Sequence, residues 1–68
     1  MKTRPLNARQ VRHLKKLRRH HVRYVRRYRR ASSEALERHG DTRIADTYAG
    51  LAQTHTGWII WIDKELTA

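Results

Sequence analysis

Cysteine and phenylalanine are absent from this 68-residue chain, proline occurs once and glycine three times. Without cysteine there is no disulfide, no thiolate metal site and no thiol nucleophile, so a core this small relies on packing or on a partner. The proline stands at position 5 and the glycines at 40, 50 and 57, so nothing breaks the chain between Leu6 and His39. Such sparse punctuation favours long helices. No run approaches the roughly 20 apolar residues of a membrane span, and no apolar secretory segment opens the chain. A soluble, cytoplasmic, single-domain protein is the expectation.

The remaining absence is one of charge. The first thirty positions hold thirteen lysines and arginines and no acidic residue, whereas the other thirty-eight hold six carboxylates against three basic side chains. The overall formal charge is +10. Lys2 to Arg30 is therefore the part suited to an anionic partner.

The sequence Leu6-Asn7-Ala8-Arg9-Gln10-Val11 carries three helix-start signals. Asn7 suits the N-cap, Gln10 is placed as its capping-box partner, and Leu6 with Val11 forms a hydrophobic staple. At the other end Gly40 suits the left-handed position that terminates a helix, and Asp41 suits the next N-cap. The spacing thus predicts one helix over about 8–39, a turn at Gly40 and a second helix over about 42–66. Residues 1–7 form a basic N-terminal arm.

At 100° per residue the first helix divides into two faces. Val11, Leu14, Leu17, His21, Val22, Tyr24, Val25, Tyr28, Ala35, Leu36 and His39 share one side. Arg9, Arg12, Lys15, Lys16, Arg19, Arg23, Arg26, Arg27 and Arg30 lie opposite, while Arg18 and Arg29 fall at the edge of the apolar stripe. In the second segment Ile44, Tyr48, Leu51, His55, Ile59, Ile62 and Leu66 recur at helical intervals. Trp58-Ile59-Ile60-Trp61-Ile62 also has strand character, but a lone strand would have no partner, so helix is preferred.

Folded at Gly40, the two helices form an all-α antiparallel hairpin in which Leu36 meets Ile44, Tyr28 meets Leu51, Val25 meets His55 and His21 meets Trp58 or Ile59. Two helices enclose little core. Gly50, Gly57, Trp58, Ile60 and Trp61 are left over, and they predict a homodimer, two hairpins packed as a four-helix bundle.

The run Arg18 to Arg30 is the strongest functional signal. Arginine presents a fork of donors matched to phosphate and stays ionised at physiological pH. The chain has twelve arginines and four lysines, whereas a face serving solubility alone would mix lysine with glutamate. Arg9, Arg12, Lys16, Arg19, Arg23, Arg26, Arg27 and Arg30 are the candidate nucleic-acid contacts, made to the phosphate backbone of DNA or RNA. Base readout has little support, because Asn7 and Gln10 are committed to capping. The alternative is an interaction or inhibitor protein that docks this basic face and its tryptophans on an acidic protein partner.

Other chemistries fit less well. Tyr24 and Tyr28 lie on the apolar side, which suits packing rather than base stacking. The five histidines lack metal-ligand spacing, so no metal or other cofactor is expected, although His21 and His55 are placed to share a polar layer. No nucleophile is set beside an oriented base and no phosphate-cradling loop occurs, so no catalytic residue is assigned and an enzyme is not expected. Asp63 and Glu65 approach the level of Arg18, which suits ion pairing. A helix-turn-helix reading of Ile44 to Ile62 fails because its recognition helix would contain no lysine or arginine. Binding flat on a membrane is disfavoured because the second helix needs the same apolar face.

Overall fold

The computed structural model describes residues 5–67, which form helices α1 (Ala8–His39) and α2 (Thr42–Thr67) in an antiparallel hairpin 49 Å long. Lys2 and Arg4, which belong to the expected N-terminal arm, lie outside the described residues. Both helix starts follow from local chemistry. The Asn7 side chain accepts from the Gln10 N–H at 2.8 Å, and the Gln10 side chain accepts from the Asn7 N–H at 3.0 Å, a complete capping box. Asp41 caps α2, its carboxylate accepting from the Ile44 N–H at 3.0 Å.

Gly40 ends α1 with φ 58°, a left-handed conformation that other residues enter at a cost of about 1 kcal/mol or more. Its N–H donates to the Leu36 carbonyl and the Asp41 N–H to that of Ala35, so carbonyls of the last turn are satisfied as the chain reverses. A two-residue connection then forces antiparallel packing.

The side chains between the helices repeat at alternating three- and four-residue steps. On α1 the seam is Val11, Leu14, Arg18, His21, Val25, Tyr28, Ser32 and Ala35, all buried or half-buried. On α2 it is Ala45, Tyr48, Ala52, His55, Ile59, Ile62 and Leu66, again buried or half-buried. This is the heptad pattern of a two-stranded coiled coil. Val25, Ala35, Ala45, Ala52 and Ile62 are its most buried members.

The turn end of this seam corrects the sequence expectation. Leu36, Ile44 and Leu51 were expected to pack inside, yet they remain 48%, 48% and 40% exposed. Ala35, Ala45 and Ala52, one position away from each, occupy the seam instead. Small side chains there let the two backbones approach closely, and the Ser32 hydroxyl donates to the Ala45 carbonyl at 2.8 Å. Larger residues turned inward would separate the helices and break that bond. Farther from the turn the expected His21–Trp58 pairing holds, with the rings stacked at 5.9 Å, whereas Tyr28, expected against Leu51, stacks on Tyr48 and His55, and His55, expected against Val25, lies against the rings of His21, Tyr24 and Tyr28.

Trp58 to Ile62 is helical throughout. Ile59 and Ile62 enter the seam, while Trp58, Ile60 and Trp61 are half-exposed. The threonines of α2 are reconciled with helix by donating back along it, from Thr47 to Arg43, Thr54 to Gly50 and Thr56 to Ala52.

Gly50 and Gly57 are mid-helix, and a Cβ built on either meets nothing within 4 Å. Each Gly→Ala substitution is therefore expected to stabilise the hairpin by about 0.5–1 kcal/mol, raising Tm by several degrees in a thermal melt followed by circular dichroism. A lowered Tm would show that another backbone packs against these glycines.

Candidate nucleic-acid interface

The basic residues of α1 have a repeat of their own. Arg9, Arg12, Lys16, Arg19, Arg23, Arg26 and Arg30 follow one another at steps of three and four, the same rhythm as the seam but on the far side of the helix. They form one straight ridge of roughly 31 Å, at 1.5 Å per residue. All seven are exposed, as is Arg27 beside them. The helix that carries the ridge is anchored by burying the opposite stripe, so the ridge faces water because the seam faces α2.

Arg18 sits in the seam and shows what happens to a basic residue that does find a carboxylate. Its Nε donates to Asp63 Oδ1 at 2.7 Å and its terminal nitrogen reaches Oδ2 at 3.4 Å. The hydrogen bond to Asp63, reinforced by the carboxylate's charge, raises the Arg18 pKa further above its ordinary value. It is the only ion pair among the described residues. The eight candidate residues therefore make no salt bridge among the described residues, and Glu34, which shares a shallow groove with Arg26, Arg27 and Arg30, comes within ion-pair distance of none of them.

Like charges at i, i+3 and i, i+4 repel, each pair destabilising an isolated helix by about 0.2–0.5 kcal/mol. Arg23 faces this from Arg19, Arg26 and Arg27 at once. The ridge is thus held in place despite its charge. The surface offers a row of forked donors with no internal acceptor, a geometry suited to a line of external anions.

A different cluster lies in the middle of the seam. His21 Nδ1 and His55 Nδ1 are 2.7 Å apart, one donating and the other accepting, and Trp58, Tyr24, Tyr28 and Tyr48 extend the contact as stacked rings. Burial, with the charges of His55 and His20 acting in the same direction, lowers the His21 pKa below its usual 6.5. The shared polar layer read from the sequence is therefore present. Tyr28 is half-buried in it, and Tyr24 stands at its rim with 42% exposure. Among the described residues no group of three or more histidines and carboxylates is placed to hold a metal ion.

The five residues expected at a dimer interface do not share one surface. Trp58 and Trp61 meet edge-on at 5.9 Å and line a groove with Thr54 and Gly57. Gly50 and Gly57 lie on the back of α2, away from α1. Ile60 falls on the opposite side, seven residues from Gln53, which lines a groove with Arg29, Ser32, Ser33, Ala49, Ala52 and Thr56. What composition did not single out is that Ile44, Leu51 and Trp58, spaced by seven, form a continuous half-exposed row. The alanines that follow the first two, which fill the seam in their place, were the available signal.

α2 runs unbroken from Thr42 to Thr67, so the helix-turn-helix alternative has no turn. No helix among the described residues is long and apolar enough to cross a membrane. No protein-family model, curated protein or solved structure matches the chain.

Proposed function

We propose that this protein is an accessory nucleic-acid-binding protein that grips the phosphate backbone with the α1 ridge and recognises shape rather than sequence. One observation carries the reading: seven exposed basic residues in a straight line, none paired with a carboxylate although six carboxylates are present in the chain. A straight ridge of roughly 31 Å that lies in or across a groove brings its basic groups near phosphates of both walls. Arg27 and Arg29 broaden it on either flank. DNA and RNA both present such a phosphate line.

Self-association belongs to the same proposal. A hairpin whose most buried residues number five, three of them alanine, leaves large apolar side chains half in water, and a second copy gives them cover as a four-helix bundle. The docking of the basic face on an acidic protein is the second reading, favoured by the exposure of Trp58 and Trp61 in a chain with twelve arginines.

Fluorescence anisotropy at 50 mM salt, with labelled duplex DNA, duplex RNA and an acidic polypeptide of equal charge, separates the two. Submicromolar binding to a duplex, with the polypeptide at least tenfold weaker, is the expected result. Preference for the polypeptide would replace the first reading by the second.

A further inference from the structure

Five of the seven large apolar side chains that stay exposed fall on one side of the hairpin. Ile44, Leu51 and Trp58 form a row on α2, Trp61 adjoins it, and Tyr24 stands on α1. The side is identified by the groove at the open end, where Trp61 and Glu65 face Leu6, Gln10 and His13. Gln10, Leu17 and Tyr24 are spaced by seven and so continue that edge along α1. The other side is lined by Ser32, Ser33, Ala49, Gln53 and Thr56. At 40–50% exposure, large side chains of this kind leave roughly 450 Å² of apolar surface on the first side. Two copies would bury about 900 Å² of apolar surface before any polar rim is added, near the size at which a specific interface begins.

The row is straight and, with Trp61, runs more than half the length of α2, so its best complement is another straight helical surface. Two arrangements make such a pair by a twofold rotation. In one the turns lie at opposite ends and α1 lies on α1, and in the other the turns lie together and each α1 lies on the partner's α2. Charge decides between them. α1 carries twelve basic residues against two acidic, and α2 carries two basic against three acidic. Setting α1 on α1 brings the two strongly basic helices side by side, although their ridges face outward, whereas the second arrangement alternates basic and acidic helices around the bundle.

We infer that two copies of this chain pack through the side bearing Tyr24, Ile44, Leu51, Trp58 and Trp61, with their turns at the same end and each α1 against the α2 of the other. This rests on the self-association proposed above and adds its face and its orientation. It leaves the ridges uncovered from Arg12 onward, because Arg12, Arg19 and Arg26 point away from the contact, while Arg9 lines the groove at the open end of the contact side. The two ridges then emerge on diagonally opposite corners of the bundle, so that one dimer presents a phosphate-binding line on each of two opposite faces. Such a particle joins two duplex segments rather than clamping one.

The absence of cysteine makes the arrangement directly measurable. A Thr42→Cys chain carries one spin label at the turn end, and Thr67→Cys carries one at the open end. Sedimentation without nucleic acid gives the mass, and pulsed electron resonance gives the label separation. The expected result is a dimer with Thr42 labels about 25–30 Å apart, set by helix spacings near 10 Å, and Thr67 labels similarly close. Separations of about 40 Å or more at both positions, the length of α2, would overturn the orientation while leaving dimerisation intact. A monomer at 100 μM would overturn the dimer itself, and neither outcome bears on whether the ridge binds phosphate.

Discussion

Replacing Arg23, Arg26, Arg27 and Arg30 together by glutamine is expected to weaken duplex binding on the order of a thousandfold at 0.1 M salt, because four phosphate contacts and the counterions they release are lost. The hairpin should survive. None of the four side chains makes a hydrogen bond or ion pair among the described residues, all four are exposed, and glutamine has nearly the helix propensity of arginine. Stability should in fact rise slightly, since several repulsive i, i+3 and i, i+4 pairs disappear at about 0.2–0.5 kcal/mol each. Binding by anisotropy and unfolding by circular dichroism on the same samples check both halves. A variant that unfolds would make the ridge structural, and one that folds and still binds tightly would move the interface elsewhere.

Acid is expected to loosen the protein through His21 and His55. At 2.7 Å the two Nδ1 atoms share one proton, and adding a second sets two N–H groups against each other. Burial first, and the charges of His55 and His20 after it, make His21 bind its proton less readily folded than unfolded. A group with a depressed folded pKa contributes stability above its unfolded value, 6.5 for histidine, and loses it as pH falls from there toward the lowered value. The single-proton limit is about 1.4 kcal/mol per pH unit. Solvent reaches this half-exposed pair, so a loss of under about 1 kcal/mol per unit is expected, or a fall in Tm of a few degrees between pH 7 and pH 5.5. His20 beside it and Tyr24 and Tyr28 around it remain in place in the test variant, in which His21→Val and His55→Leu fill the seam with apolar groups. That variant should be more stable and nearly insensitive over this range. An unaltered pH profile would assign the acid response to the carboxylates.

Much of this architecture was legible because helix ends are local. Asn7, Gln10, Gly40 and Asp41 make hydrogen bonds only to near neighbours, so their identity and spacing placed both helix starts and the turn. The stripe on α1 was equally plain, since arginine and apolar residues separate cleanly around it. The His21–His55 contact and the Arg18–Asp63 pair followed from aligning the two helices at Gly40.

The rotation of α2 near the turn was not legible. A periodicity of apolar size selects Ile44 and Leu51, whereas the close approach of two backbones selects Ala45 and Ala52, and both sets have the same seven-residue period. Only the contact itself, tied by Ser32 to the Ala45 carbonyl, decides which set turns inward. The same ambiguity scattered the expected dimer residues. Trp58 and Ile60 are two positions apart in sequence, and a helix places them on different sides.

A ridge that binds phosphates by charge loses affinity as salt rises, and that dependence is measured in a titration. For a duplex titrated between 50 and 300 mM salt, six to seven contacts predict a slope of log affinity against log salt of about −5 to −6. In the chain bearing glutamine at 23, 26, 27 and 30 the slope should shrink to about −2 to −3. A slope near zero in the unaltered protein, or the same slope in both, would contradict the account.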